Sequence, residues 1–165
     1  MLRRKQNPES SKPPADPGEL TPRNARRLAD HYLAQGFDCA ETLVRVFERF
    51  GLMENMDTNT LLTLASGFGK GIGKTYADCG ALSGSILVIN AIFVPERKTG
   101  KRMYKITGEF SKRFIKEFGS VNCAELRIVS KDCEERTRRT AEILAQFLLE
   151  KRGRHQSRGP RDAGG

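Results

Sequence analysis

Four cysteines, Cys39, Cys79, Cys123 and Cys133, are the residues of this chain whose type and placement could do chemistry as a set. Each follows an aspartate or asparagine: Asp38, Asp78, Asn122 and Asp132. Such side chains accept the backbone N–H groups that the first turn of a helix leaves free. Three of the sites also carry glutamate three residues on, at Glu41, Glu125 and Glu135, which resembles a capping box. The pattern predicts each cysteine at the first position of a helix. There the free N–H groups and the positive end of the helix dipole favour a thiolate, the form that binds metal, attacks a disulfide or transfers electrons. The neighbouring carboxylates oppose this electrostatically. The alternative for any one of them is a small buried apolar side chain.

The spacings of 40, 44 and 10 residues contain no Cys-x-x-Cys. A zinc ribbon, a thioredoxin-type motif and covalent haem attachment are therefore unsupported. Only two histidines occur, His31 and His155. Four thiolates without histidine suit zinc or an iron–sulfur cluster. If they share one centre, their helix starts must converge. Cys123 and Cys133 are expected as the closest pair, with Cys79 facing them. The packing direction of the Cys39 helix is the one the sequence fixes least.

The segment from Gly67 to Thr75 alternates glycine with other residues. It fails the phosphate-loop spacing, because Phe68 stands where the first glycine belongs, and Lys74 replaces the third glycine of a dinucleotide fingerprint. A helix, not a strand, precedes it. Alternating glycines still allow close backbone approach and can aim N–H groups at anionic sulfur. Gly69, Gly71 and Gly73 are thus expected to wrap a site that begins at Cys79, with Gly80 as part of it. Gly80, Ala81 and Gly84 recur at helical spacing and would present a flat face.

The elements that must position these residues read as helices. Thr21-Pro22 starts one, with Ala25, Leu28, Ala29, Tyr32 and Leu33 on one face and Gly36 ending it. A second runs from Asp38 to about Phe50, and a third starts at Asp57. A very apolar helix over about residues 78–94 is expected at the centre, stopped by Pro95. A fifth covers residues 100–118, a short turn follows at Asn122, and the last runs from Asp132 to Lys151. No alternating strand pattern appears. The prediction is an all-α, compact bundle of about five to six helices with a glycine-rich loop before the central apolar helix.

The chain has 165 residues and a formal net charge of +9. Residues 1–19 carry four prolines and no apolar run, and residues 152–165 are dominated by arginine and glycine. Both read as disordered tails around a helical domain at 20–151. The last fifteen residues hold five basic and one acidic side chain, so nearly half the excess charge sits there. Such a tail can touch nucleic acid, although a solvated end is the simpler reading. No apolar stretch is long enough for a signal peptide or a membrane span. The chain is expected in the cytoplasm, where thiols stay reduced and cysteines serve metal or redox chemistry.

These residues resemble the C_GCAxxG_C_C family of proteins assigned a redox role, defined by four cysteines and a Cys-Gly-Ala-x-x-Gly motif. Cys79, Gly80, Ala81 and Gly84 match the motif. Cys39 matches the upstream cysteine, Cys123 and Cys133 the downstream ones, and Gly67, Gly69, Gly71 and Gly73 the glycine-rich stretch. The resemblance covers about residues 28–149, and the added tails are its main departure. The family is similar to a domain of certain cytochromes that holds an iron–sulfur cluster, although the haem part is lacking here. It therefore implies a metal centre on Cys39, Cys79, Cys123 and Cys133, a [2Fe–2S] cluster ahead of zinc or no metal. A non-enzymatic electron-transfer protein with a redox partner of unspecified identity is the leading expectation. A homodimer is compatible with it, and nucleic acid is not an expected partner. A thiol–disulfide protein without metal and a zinc-binding helical interaction protein are the alternatives.

Overall fold

The computed structural model describes residues 16–54, 56–93 and 100–156. Seven helices follow in order: α1 (Pro22–Ala34), α2 (Cys39–Arg49), α3 (Thr58–Ser66), α4 (Gly80–Phe93), α5 (Gly100–Phe118), α6 (Cys123–Val129) and α7 (Cys133–Gln156). Among the described residues there is no strand, only one isolated antiparallel bridge between Asp78 and Asn122. The fold is all-α, with one helix more than expected because the turn at Asn122 extends to Val129. The last helix continues to Gln156, five residues past the expected end. Residues 1–15 and 157–165 of the expected tails, and Val94 and Pro95, lie outside the described residues. Residues 16–19 lie against α1, where Arg27 donates to the carbonyls of Asp16 and Pro17 and Asn24 to that of Glu19.

Local chemistry explains most helix starts. Thr21 caps α1 through the Asn24 N–H, with proline at the first position. Asp57 caps α3 through the Thr60 N–H. At α2 the full capping box forms: Asp38 accepts from Ala40 and Glu41, and Glu41 reaches back to the Asp38 N–H.

The core lies between α2, α4 and α7. Ala40, Leu43, Val44 and Phe47 of α2 are fully buried, as are Leu144, Phe147 and Leu148 of α7. The α5 stripe of Met103, Ile106, Phe110 and Phe114 closes one side, with Phe110 edge-on to Phe147 at 5.4 Å. Burying phenylalanines of this kind stabilises the fold by about 2–3 kcal/mol each. Ion pairs at the rim fix α7 against its neighbours: Arg26–Glu135 at 2.7 Å and Asp30–Arg138 at 2.9 Å to α1, and Glu117–Arg139 at 2.6 Å to α5.

The apolar α4 is less enclosed than its composition predicts. Its Gly80, Gly84, Val88 and Ile89 are buried, while Ile86, Leu87, Ile92 and Phe93 are half-buried. What brings α4 close to α2 is small size: a Cβ on Gly84 would lie 2.7 Å from the Ala40 backbone. No helix among the described residues is long and apolar enough to cross a membrane.

Candidate functional site

The starts of α2, α4, α6 and α7 meet at one end of the bundle. All four cysteines line a single cavity of about 180 Å³ there, together with Leu33, Phe37, Asp38, Lys70, Gly80, Arg127, Glu134 and Arg136. All four thiols are free. Cys79 and Cys123 are buried, and Cys39 and Cys133 are half-buried. Cys123 is the common neighbour, within electrostatic reach of Cys39, Cys79 and Cys133. Among the described residues no three histidine, cysteine or acidic side chains gather closely enough to hold a single metal ion.

Three cysteines occupy the expected first helical position: Cys39 in α2, Cys123 in α6 and Cys133 in α7. Asn122 and Asp132 cap through the N–H groups of Glu125 and Glu135. Those glutamates do not complete boxes. Glu125 is bonded to Ser120, and Glu135 is held by Arg26. Cys79 departs from the pattern. Its carbonyl accepts the first bond of α4, from Ser83 at 3.0 Å, and the N–H groups of Ala81 and Leu82 face its sulfur closely enough to favour the thiolate. The cysteine itself stands at the cap position, because α4 begins at Gly80 and Asp78 lies one residue further out.

The bridge between Asp78 and Asn122 places two sites side by side. The Cys79 N–H donates to Val121 at 2.8 Å, and the Cys123 N–H donates to Ala77 at 2.6 Å. The glycine-rich segment packs beneath it. Lys70, Gly71, Ile72, Gly73 and Lys74 all have positive φ, between 52° and 70°, a left-handed turn closed by bonds such as Gly73 N–H to Gly67 at 2.9 Å. Holding non-glycine residues in this region costs about 1–2 kcal/mol each, and such strain concentrates at functional sites. The turn brings the Lys70 N–H onto the Cys39 sulfur. A Cβ on Gly71 would lie 2.7 Å from the Cys123 Cβ, and one on Gly69 would fall on the Asp38 side chain. Gly73 has no neighbour there. Gly80 alone of these glycines lines the cavity, at a point where a Cβ would fall on the Cys39 sulfur and 2.7 Å from the Phe68 carbonyl oxygen.

Electrostatics differ around the sulfurs. Burial pushes the Cys39 thiol up to about 12 and raises Cys79 and Cys123 as well, the Lys70 N–H and the Cys79 cap bonds opposing it in part. Cys133 instead receives two guanidiniums, Arg127 at 3.3 Å and Arg136 at 3.7 Å. Arg127 also lies over the Tyr76 ring, 5.3 Å from its centre. Sequence reasoning missed both arginines. The signal was present for Arg136, which falls four residues before Thr140 and eight before Leu144, on the inward stripe of α7.

Comparison with curated proteins and with solved structures finds no match. A family model does match, over residues 37–147, a span that holds all four cysteines and the glycine-rich turn. The chain belongs to the family described as "Putative redox-active protein (C_GCAxxG_C_C)".

Proposed function

We propose that the four-cysteine cavity holds an iron–sulfur cluster, as [2Fe–2S], and that the protein transfers electrons without being an enzyme. The observation that carries this is the convergence of four free thiols on one cavity of about 180 Å³. A lone tetrahedral metal needs its sulfurs within roughly 4 Å of one another, given metal–sulfur bonds of about 2.3 Å. A cluster core with bridging sulfides holds its protein ligands further apart. The donor set of cysteine without histidine fits that chemistry.

Cys39, Cys79, Cys123 and Cys133 would supply the four thiolates. When bound, such a cluster accepts and returns one electron. The chain's own groups set its surroundings: the N–H groups of Lys70, Ala81 and Leu82 are aimed at sulfur, and Lys70, Arg127 and Arg136 outnumber Asp38 and Glu134 around the cavity. Positive lining and N–H donors both stabilise an anionic centre and raise its potential.

A second reading is favoured by the electrostatic contact of Cys123 with Cys133. As a metal-free dithiol, the pair would reduce a partner's disulfide. Their two thiols would become one disulfide, the partner's sulfurs taking up both electrons and both protons as two thiols. Iron and acid-labile sulfide analysis of anaerobically purified protein separates the two. About two irons and two sulfides per chain support the cluster. Their absence after reconstitution, with Cys123 and Cys133 oxidising together, supports the dithiol.

A further inference from the structure

Most arginines on α7 and its neighbours have a carboxylate partner. Arg26 pairs with Glu135, Arg113 with Glu150, Arg138 with Asp30 and Arg139 with Glu117. Arg136 is different. It is only 6 % exposed, and among the described residues no carboxylate stands within ion-pair distance of it. A buried cation without a counter-charge is strongly unfavourable unless hydrogen bonds or another anion compensate it. One guanidinium nitrogen of Arg136 donates to the carbonyls of Leu126 at 2.7 Å and Ser130 at 2.8 Å. These carbonyls end α6, so a side chain of α7 caps the helix that begins with Cys123. The other terminal nitrogen points to the Cys133 sulfur.

We propose that Arg136 is a positioning residue of the cysteine site. Its guanidinium locks the end of α6 to the start of α7, which fixes Cys133 relative to Cys123, and with Arg127 it supplies the positive charge that holds the Cys133 sulfur at the cavity. The anion it lacks among the carboxylates is the sulfur-based content of that cavity. This deepens the reading of the cavity as a four-cysteine centre and rests on it. Arg127 contributes charge only, since its guanidinium bonds Cys133 and covers Tyr76 but ties no helix end. The two roles are therefore separable.

The test compares the full-length protein with Arg136→Lys, Arg136→Met and Arg127→Gln. Two readouts are taken, with circular dichroism confirming that each variant is folded. The first uses the anaerobically reconstituted protein, poised in a redox buffer at the wild-type midpoint. Removing a positive charge disfavours the more negative, reduced form. Arg127→Gln and Arg136→Met should each keep iron and sulfide yet lower the reduced-to-oxidised ratio by about fivefold, with Arg136→Lys in between. The second uses metal-free protein and needs no cluster. Cys133 is alkylated with iodoacetate and, in parallel, with iodoacetamide, and the two rates are read by mass spectrometry. The ratio of the rates cancels the thiolate fraction and reports the local positive charge. It should fall about fivefold in Arg127→Gln and Arg136→Met at low salt, and less at high salt.

Unchanged values of both readouts in both variants would overturn the proposal while leaving the cluster intact. Wild-type protein that takes up no iron and sulfide would overturn the cluster reading alone, and the alkylation ratio would still decide the role of the arginines. Should Arg136→Met fail to fold, Arg136→Lys with a wild-type alkylation ratio and a wild-type reduced fraction would refute the positioning role.

Discussion

Asp78 and Asn122 face each other in an isolated antiparallel bridge, so the residues that follow them, Cys79 and Cys123, start their helices next to one another. The two bonds that flank the bridge run from the cysteine N–H groups themselves, to Val121 and to Ala77. Asn122 has a second task, capping α6 through the Glu125 N–H at 3.1 Å. Replacing Asn122 by Ala removes the cap and leaves the bridge bonds, which are backbone to backbone. The expected loss is about 1 kcal/mol of stability, read from urea unfolding. Retention of iron should fall only slightly. A complete loss of the centre would show that the Asn122 side chain, and not the bridge, places Cys123.

Gly80 and Gly84 lie one helical turn apart on the face of α4 that meets α2, and they predict different defects. A Cβ on Gly84 meets the backbone of Ala40, which cannot swing aside. Gly84→Ala should push the helices apart and cost about 1–3 kcal/mol, as overpacking does. A Cβ on Gly80 meets the Cys39 sulfur and the Phe68 carbonyl. Gly80→Ala should therefore displace a proposed ligand and lower iron retention at least as much as stability. Melting temperature and iron content, measured on both variants, check the contrast. Equal iron loss at equal destabilisation would mean that Gly80 is only a packing residue.

Gly71 makes the complementary case on the glycine-rich turn. Its φ of +69° disfavours a side chain, and the 2.7 Å from a built Cβ to the Cys123 Cβ leaves no room for one. Gly71→Val should displace the turn from α6 and change thiol reactivity at Cys123 and Cys39 together, since the Lys70 N–H faces the latter. Alkylation rates at the two sites give the answer. A change confined to Cys123 would uncouple the turn from Cys39.

The sequence was most legible where the controlling interaction is local. The Asp38 box lies within four residues, and the helix it starts was placed to within one residue. Asp78-Cys79 carries the same dipeptide signature, but its helix begins one residue later, at Gly80, and residues 77–79 pair with residues 121–123 across more than forty positions. Nothing near Asp78 announces that pairing. Glu125 and Glu135 likewise match the capping-box spacing, yet Ser120 and Arg26 claim their carboxylates. The alternating glycines signalled close backbone approach but not the left-handed turn. Lys70, Ile72 and Lys74 adopt the same sign of φ without being glycine, so tertiary contacts impose it. The convergence of the cysteines depends on how helices pack, which periodicity gives as faces and not as directions.

Ionisation of the buried thiols should destabilise the metal-free protein at high pH. Burial raises Cys39 from an ordinary 9.0 to about 12 and raises Cys79 in the same direction. A raised pKa means that the folded state favours the protonated thiol. Its contribution is complete below about pH 9 and is lost as pH rises toward 12, since the unfolded chain releases the proton first. For Cys39 the full span corresponds to about 4 kcal/mol. Urea midpoints at about pH 8 and about pH 10.5 should differ clearly in the wild type, as the linkage requires. Tyr32, also raised by burial, adds a share of the same sign. The Cys39→Ser, Cys79→Ser double variant keeps that share, so its slope should be shallower. An identical slope in the two proteins would refute the assignment to the thiols.

The cysteines as a set give the most exposed prediction. If all four hold one cluster, each single replacement by serine should weaken the centre and bleach its visible absorption, because a ligand lost anywhere leaves an iron incompletely coordinated. Graded effects are nonetheless expected. Cys79→Ser replaces a sulfur faced by the Ala81 and Leu82 N–H groups with an oxygen that can cap them. Stability should therefore drop little while the centre is lost. Cys39→Ser leaves the Asp38 capping box intact, so its effect on folding should be small too. Cys123 is within electrostatic reach of the other three, and its serine variant should lose the centre most completely. Cys133→Ser leaves Arg127 and Arg136 facing a neutral hydroxyl, and it should cost stability through the uncompensated buried guanidinium. Iron, sulfide and visible absorption measured on the four variants, with urea unfolding beside them, test this order. Full iron and sulfide content in any one variant would remove that cysteine from the ligand set and reduce the centre to three.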